Sequence, residues 1–215
     1  DYAPFSNRSN RADPYTGIDI DLAQDLATSL GVKLQLVETS WPTLLQDLNA
    51  NRYDIAMSGV SRNLERQKVG FFSAAYHTGG KTPITLCKNI NRFNTLKKID
   101  VPATRVIVNP GGTNERFVDS ELKHAQKVLH LDNRTIFKEI VNGNVDLMIT
   151  DNIEVRLQSS NYSELCAAMP KENLTFQEKG FLMPQDVKLK EYVDLWLITR
   201  KGDGTIRSTF DQYLQ

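Results

Sequence analysis

The sequence predicts an α/β protein built as two similar lobes that share a ligand cleft. Three observations point there. Apolar residues alternate between helical and strand periodicity through the N-terminal third, and the same helix-turn-strand theme returns in the middle of the chain. Two extended segments, near 81–89 with Pro83 and near 176–184, lie where a chain would cross to a second lobe and return. With 215 residues there is enough chain to bury a proper core.

The elements follow in order. In "GIDIDLAQDLATSLG" the apolar residues Ile18, Leu22, Leu26 and Leu30 have helical spacing and stop at Gly31. "VKLQLVET" alternates as a strand. "WPTLLQDLNANRY" reads as a short helix with Pro42 in its first turn. "DIAMSGV" reads as a buried strand, followed by the polar "SRNLERQK". This βαβαβ run implies a largely parallel sheet with ligands at the strand C-termini. "TRVIVNPGGTNERFVDSEL" is then a strand, a Gly-rich turn and a helix opening, and "TIFKEIVNGNVDLMITD" is helix, turn and buried strand. The segments 47–59 (DLNANRYDIAMSG) and 139–151 (EIVNGNVDLMITD) both run from a helix end through Asn-x-Asn and an Asp into an apolar strand, as two related lobes would. The expected division is 1–84 plus 178–215 for the first lobe and 85–177 for the second. A Gly-Asp-Gly turn at 202–204 splits the C-terminal segment into two helices.

Lys plus Arg and Asp plus Glu number 26 each, for a net charge of +0. That balance gives no electrostatic reason to expect a nucleic-acid or anionic-membrane partner. No apolar run approaches the length of a membrane span, so membrane insertion is not expected. Cys87 and Cys166 stand outside any CxxC or His/Cys pattern, which argues against zinc; they are either two buried thiols or one disulfide. His77, His124 and His130 are scattered. No metal or cofactor is expected. The start at Asp1 without Met fits a trimmed or an exported, processed product whose signal peptide is not in this chain.

Three stretches carry candidate chemistry. "MITDNIEVRLQ" places Asp151 and Glu154 three apart where an apolar strand becomes a helix, hence on one helical face. Such carboxylates either grip a cation or, with one protonated, donate a proton. "NPGGTNERF" lacks the spacing of a nucleotide loop, but offers backbone N–H groups and the Thr113 hydroxyl at a helix N-terminus, an anion site suited to a carboxylate. "SGVSRNLERQK" follows a strand and contains Ser61, Arg62, Asn63 and Arg66; an arginine there can hold a carboxylate bidentately.

The stretches "YAPFS…YTGIDIDLAQDLATSLG", "W…LLQDLNANRYDIAMSGVS…ERQKVGFFSAAY" and "VNPGGTNERF…VNGNVDLMITD" resemble the amino-acid-type periplasmic solute-binding proteins over almost the whole chain. Within them, "SWPTLLQDL", "GGKTPI", "VIVNPGGTNERF" and "LMITD..E.RLQ" look like the cyclohexadienyl dehydratase branch. The resemblance implies a two-lobe, type II periplasmic binding-protein fold in the periplasm. It implies that Arg66 anchors a substrate carboxylate with Ser61, Gly59, Thr113, Asn63 and Asn114, that Trp41 lines the cleft, and that Asp19 belongs to the binding set. In ordinary amino-acid binders of the family, an acidic residue at the Asp151 position takes the ligand's ammonium group. The catalytic set it implies is Glu154 as general acid, with Lys81 and Asn109. A Glu desolvated in a closing cleft would stay protonated near neutral pH. The chain departs from the pattern at Arg62, at Asn63 where binders have Thr, and at the bulky Asn152 and Ile153.

Two functions therefore stand side by side. One is a carbon–oxygen lyase converting prephenate to phenylpyruvate, and arogenate to phenylalanine. The other is a non-catalytic receptor that binds an amino acid or small carboxylate for a transporter. Either way the partner is a small carboxylate. Oligomeric state, a homo-oligomer included, is left open.

Overall fold

The structure is a computed structural model that describes residues 2–8, 10 and 12–214. The chain divides into two compact units, one of Asp1–Thr78 with Glu178–Gln215 and one of Gly79–Gln177. The first crossing thus falls at 78/79, ahead of the expected 84/85. The reason is that the strand Lys81–Leu86 lies inside the second unit's sheet, bonded on both edges.

That sheet has five strands in the order Gln126–Leu129, Arg105–Val108, Leu147–Asp151, Lys81–Leu86, Leu165–Ala167. The first three run parallel, and Lys81–Leu86 runs antiparallel to both its neighbours, so the sheet is mixed rather than largely parallel. Buried side chains pack on both faces. Val106, Val108, Leu147 and Ile149 meet Phe117 and Val118 of the helix Thr113–Glu121. Ile84, Ile107 and Met148 meet Phe137 and Ile140 of the helix Ile136–Val141, and Val155 of the helix Asn152–Asn161. Strands sandwiched this way must be apolar on both faces, which is why "RVIV" and "LMIT" read as continuous runs. A disulfide joins Cys87 to Cys166, where the register already sets Thr85 opposite Cys166.

In the first unit the helix Ile18–Leu30 buries Ile18, Leu22 and Leu26. It ends at Gly31 (φ 70°), with the Val32 N–H reaching back to the Ala27 carbonyl, the left-handed exit that glycine permits. The helices Val187–Gly202 and Thr205–Tyr213 break at Asp203 and Gly204 and pack with it. Asp25 takes hydrogen bonds from Trp196 and Arg200, both at 2.7 Å.

Two expected strands of this unit are not formed. Residues 32–40 have no regular secondary structure, and Val32, Leu36 and Val37 are exposed. Their alternation is real, but they pair with no strand among the described residues, and a strand exists only through its neighbour. "DIAMSGV" is reduced to an isolated bridge between Ala56 and Leu182, beside the short antiparallel pair Phe71–Phe72 and Leu182–Met183.

The internal likeness is physical. Aligned positions Asn51 and Gly143 both take left-handed φ, 53° and 75°. Their N–H groups return to aligned carbonyls, Leu48 and Ile140, each at 3.0 Å. The next N–H groups, of Arg52 and Asn144, return to Asp47 and Glu139, again at 3.0 Å. The same turn closes a helix in each unit, and in the second it delivers the chain into the strand that ends at Asp151.

Candidate active site

In the second unit, the strand Leu147–Asp151 runs straight into the helix Asn152–Asn161, so Asp151 is both strand end and helix cap. Lys81 lies directly opposite Asp151 in the antiparallel register, which sends both side chains off the same face. Lys81 is only 1% exposed, and its ammonium donates to Asp151 Oδ1 and Thr113 Oγ1, both at 3.1 Å, and to the Asn114 amide oxygen. A buried ammonium needs such partners, since an unpaired one is strongly penalised. Those protons are aimed at protein acceptors, so Lys81 acts on its surroundings chiefly through its charge.

Glu154 lies in the first turn of the helix and is 4% exposed. Its Oε2 accepts the Thr150 hydroxyl at 2.5 Å, and Thr150 Oγ1 accepts the Asn114 amide N–H at 3.0 Å. Asn109, just past the strand Arg105–Val108, is 6% exposed, and its side-chain oxygen has no hydrogen-bond partner. A buried acceptor left unsatisfied is costly in a resting protein and is well placed to receive a hydroxyl or amide donor from a ligand. The Gly-rich loop before Thr113 differs from expectation in one respect. The Gly111 N–H is not available to an anion, because the Glu115 carboxylate accepts it at 2.7 Å. Thr113, accepting from Lys81, keeps its own O–H to donate.

In the first unit, Arg66 sits on the short helix Leu64–Gln67 and is buried. Asn63 caps that helix, its side-chain oxygen taking the Arg66 N–H at 2.8 Å. Asn is among the residues best suited to such a cap. Arg66 donates to the Ser61 carbonyl at 2.9 Å and stands 5.6 Å from the Trp41 ring centre. Arg62 turns aside to pair with Glu178 at 2.5 Å. Gly59 holds φ 62°, and a Cβ there would sit 2.4 Å from the Phe5 ring, so only glycine fits. Its N–H donates to Asp19 Oδ2 at 2.6 Å, which also takes the Tyr76 hydroxyl at 2.7 Å. Burial pushes the Asp19 carboxyl up to about 7, against the opposing pull of the Gly59 and Tyr76 hydrogen bonds and the Lys179 charge.

Sequence reasoning missed Lys179 and Thr150. Lys179 is buried, donates to Ser61 Oγ at 2.9 Å and stands 5.1 Å from the Tyr2 ring centre. Its one signal was a lone lysine entering the apolar "GFLMP". Thr150 looked like one more strand residue. The structure gathers Lys81, Thr113, Asn114, Asp151 and Glu154 into one hydrogen-bonded set of the second unit. It gathers Asp19, Gly59, Ser61, Asn63, Arg66 and Trp41 in the first. Among the described residues, no group of three or more His, Cys, Asp or Glu side chains is placed to hold a metal ion.

A mixed sheet, a chain that leaves one unit and returns to it, and a set of buried polar residues in each unit define the solute-binding class. The chain belongs to the bacterial extracellular solute-binding proteins, family 3, whose family model matches residues 1–215, and it has their two-lobe type II fold. More particularly, it is 51% identical to the cyclohexadienyl dehydratase of Pseudomonas aeruginosa, over 100% of this chain and 80% of that protein. It is 24% identical to the L-cystine-binding protein TcyJ of Escherichia coli, over 99% of this chain and 79% of that one. Among solved structures, an ancestral amino acid-binding protein described as a precursor of cyclohexadienyl dehydratase matches with TM-score 0.91 at 31% identity, covering 100% of this chain and 92% of that one. An ancestral cyclohexadienyl dehydratase is 43% identical with TM-score 0.59, covering 100% and 89%.

Proposed function

We propose that this chain is a cyclohexadienyl dehydratase: a carbon–oxygen lyase that turns prephenate into phenylpyruvate, with Glu154 as its general acid. The observation that carries the reading is Glu154 itself, a carboxyl buried at a strand-to-helix junction and hydrogen-bonded to Thr150, which Asn114 links to Lys81. The 51% identity to a dehydratase over the whole chain supports it.

The chemistry is simple to state. The bond from the ring to its carboxylate breaks, carbon dioxide leaves, and the electron pair stays in the ring. That pair completes the aromatic sextet as the bond to the ring hydroxyl breaks. The departing oxygen takes the Glu154 proton and leaves as water. Glu154 is left ionised and regains its proton from solvent before the next turnover. Aromatisation supplies the driving force, and a positioned acid contributes roughly 10²–10⁴-fold. In the first unit Arg66 with the Ser61 hydroxyl, and in the second the Thr113 hydroxyl, are carboxylate-binding groups. The unsatisfied Asn109 oxygen is the acceptor for a substrate hydroxyl.

The second reading, a receptor for an amino acid, has the cystine-binding relative in its favour. Against it stands the Lys81–Asp151 pair: the carboxylate at the position where binders of the family would take a ligand ammonium already holds an internal one. A keto acid needs no such partner. The disulfide fits work in an oxidising compartment, and we place the protein in the periplasm.

Incubating the purified protein with prephenate and following phenylpyruvate tests the reading. Turnover that rises in proportion to enzyme is expected. Saturable prephenate binding with no phenylpyruvate above the uncatalysed rate would instead make the chain a receptor.

A further inference from the structure

A buried lysine follows each point where the chain passes from one unit to the other. Lys81 comes just after Gly79, where the second unit begins, and Lys179 just after Glu178, where the chain re-enters the first. Each donates to a hydroxyl of the unit it enters: Lys81 to Thr113 Oγ1 at 3.1 Å, Lys179 to Ser61 Oγ at 2.9 Å. Both hydroxyls serve the proposed function as carboxylate-binding groups. The lysine behind Thr113 is tied to Asp151, whereas the one behind Ser61 stands beside a second cation, Arg66, on the same residue.

The backbone of the first unit fixes the Lys179–Ser61 contact. Lys179 stands opposite Ser61 in an antiparallel bridge, with the Arg62 N–H on the Glu178 carbonyl at 2.9 Å and the Gly180 N–H on the Val60 carbonyl at 3.1 Å. Opposed residues send their side chains off one face, so the ammonium lies against the serine. An ammonium only donates, so Ser61 Oγ accepts and its own proton must turn elsewhere. Among the described residues no hydrogen bond uses that proton. The Ser61 carbonyl accepts from Arg66 at 2.9 Å, which places a cation on each of the residue's two oxygens. Asp19 feels the Lys179 charge but takes its hydrogen bonds from Gly59 and Tyr76, so it does not draw the ammonium away.

We infer that Lys179 is a positioning residue of the first unit's carboxylate site, acting through Ser61: it turns the hydroxyl proton away from itself, toward the ligand, and strengthens it as a donor. The inference rests on Ser61 and Arg66 binding carboxylate, as the proposed function has them do, and not on Glu154 being the acid. A hydroxyl whose oxygen already accepts from a cation is polarised and gives a stronger hydrogen bond in turn. Two positive charges beside one serine also favour an anion there over a neutral group. A lysine placed only to cover the Tyr2 and Phe5 rings, 5.1 and 5.9 Å from its nitrogen, would act on stability and be indifferent to the Ser61 hydroxyl.

A double-mutant cycle read by calorimetry tests this. The probe is prephenate, in a Glu154→Gln background so that it is not consumed, and L-cystine takes its place if wild type binds that instead. Lys179→Met keeps the length of the side chain and removes its charge. Should that variant lose its urea transition, Lys179→Gln replaces it in the cycle. We expect Lys179→Met and Ser61→Ala each to weaken binding about tenfold, and Lys179→Met to cost less than about threefold where Ser61 is already Ala. Undiminished affinity in Lys179→Met, or the same loss with and without the Ser61 hydroxyl, overturns the inference. A wild-type protein that binds neither probe overturns the carboxylate site and the inference with it. One that binds prephenate without turning it over sinks the dehydratase reading alone, and the cycle still judges Lys179.

Discussion

At Asp19 the fully buried carboxyl, held up to about 7 by burial, makes one residue a pH-dependent component of the first unit's stability. The unfolded chain titrates it near its ordinary value of 3.8. A carboxyl whose folded value is raised binds its proton more tightly when folded. Its stabilising contribution is complete below about 4 and is lost as pH rises through about 7. By this group alone, wild type should be less stable at pH 8 than at pH 5 by a few kcal/mol, on the order given by linkage. Asp19→Asn cannot titrate, so its urea midpoints at the two pH values should lie closer together than those of wild type. An unchanged gap would show that other groups set the pH response. At this scale Arg66, Lys81 and Glu154 could be named from the sequence because they stand in quotable motifs. Thr150 and Lys179 could not, because their roles come from what they touch: Thr150 reaches Asn114, 36 residues back, and Lys179 reaches Ser61, 118 residues back.

Elements legible in the sequence were those whose partners lie close along the chain or whose boundaries are chemically marked. The helix Ile18–Leu30 stops where Gly31 lets it, and the turn at Asp203–Gly204 separates the last two helices. The stretches at 32–39 and 54–60 show the limit of periodicity. Alternation records which side chains are apolar, whereas a strand also requires a bonded neighbour, which neither stretch finds in extended form among the described residues. The antiparallel course of Lys81–Leu86 was also hidden, because a βαβ reading assigns direction by default and this strand enters straight from the crossing. The Cys87–Cys166 bridge belongs to this scale. It ties the end of that strand to its neighbour Leu165–Ala167 across a sequence separation of 79 residues. Replacing both cysteines with serine should lower the second unit's stability by about 2–5 kcal/mol, read from urea denaturation. A loss well under 1 kcal/mol would mean that the sheet register alone holds the two strands.

Over the whole molecule, fold and function separate cleanly. The solute-binding fold is shared with proteins named for binding amino acids and with a protein named for a dehydration, so the fold by itself leaves the choice open. We propose that the difference is carried by a small group of side chains in the second unit. Lys81 occupies Asp151, and Glu154 is buried one helical turn beyond it, in contact with Thr150. The spacing located both carboxylates and only the family resemblance gave them different roles, because the ion pair that sets Asp151 apart joins residues 70 apart. The account therefore turns on Glu154, and the paired measurement of turnover and binding in Glu154→Gln reaches it most directly. Phenylpyruvate formation from prephenate should fall by at least about 10²-fold, while calorimetry finds prephenate bound within about tenfold of the wild-type affinity. A Glu154→Gln protein that turns prephenate over at the wild-type rate would contradict the account and place the acid elsewhere.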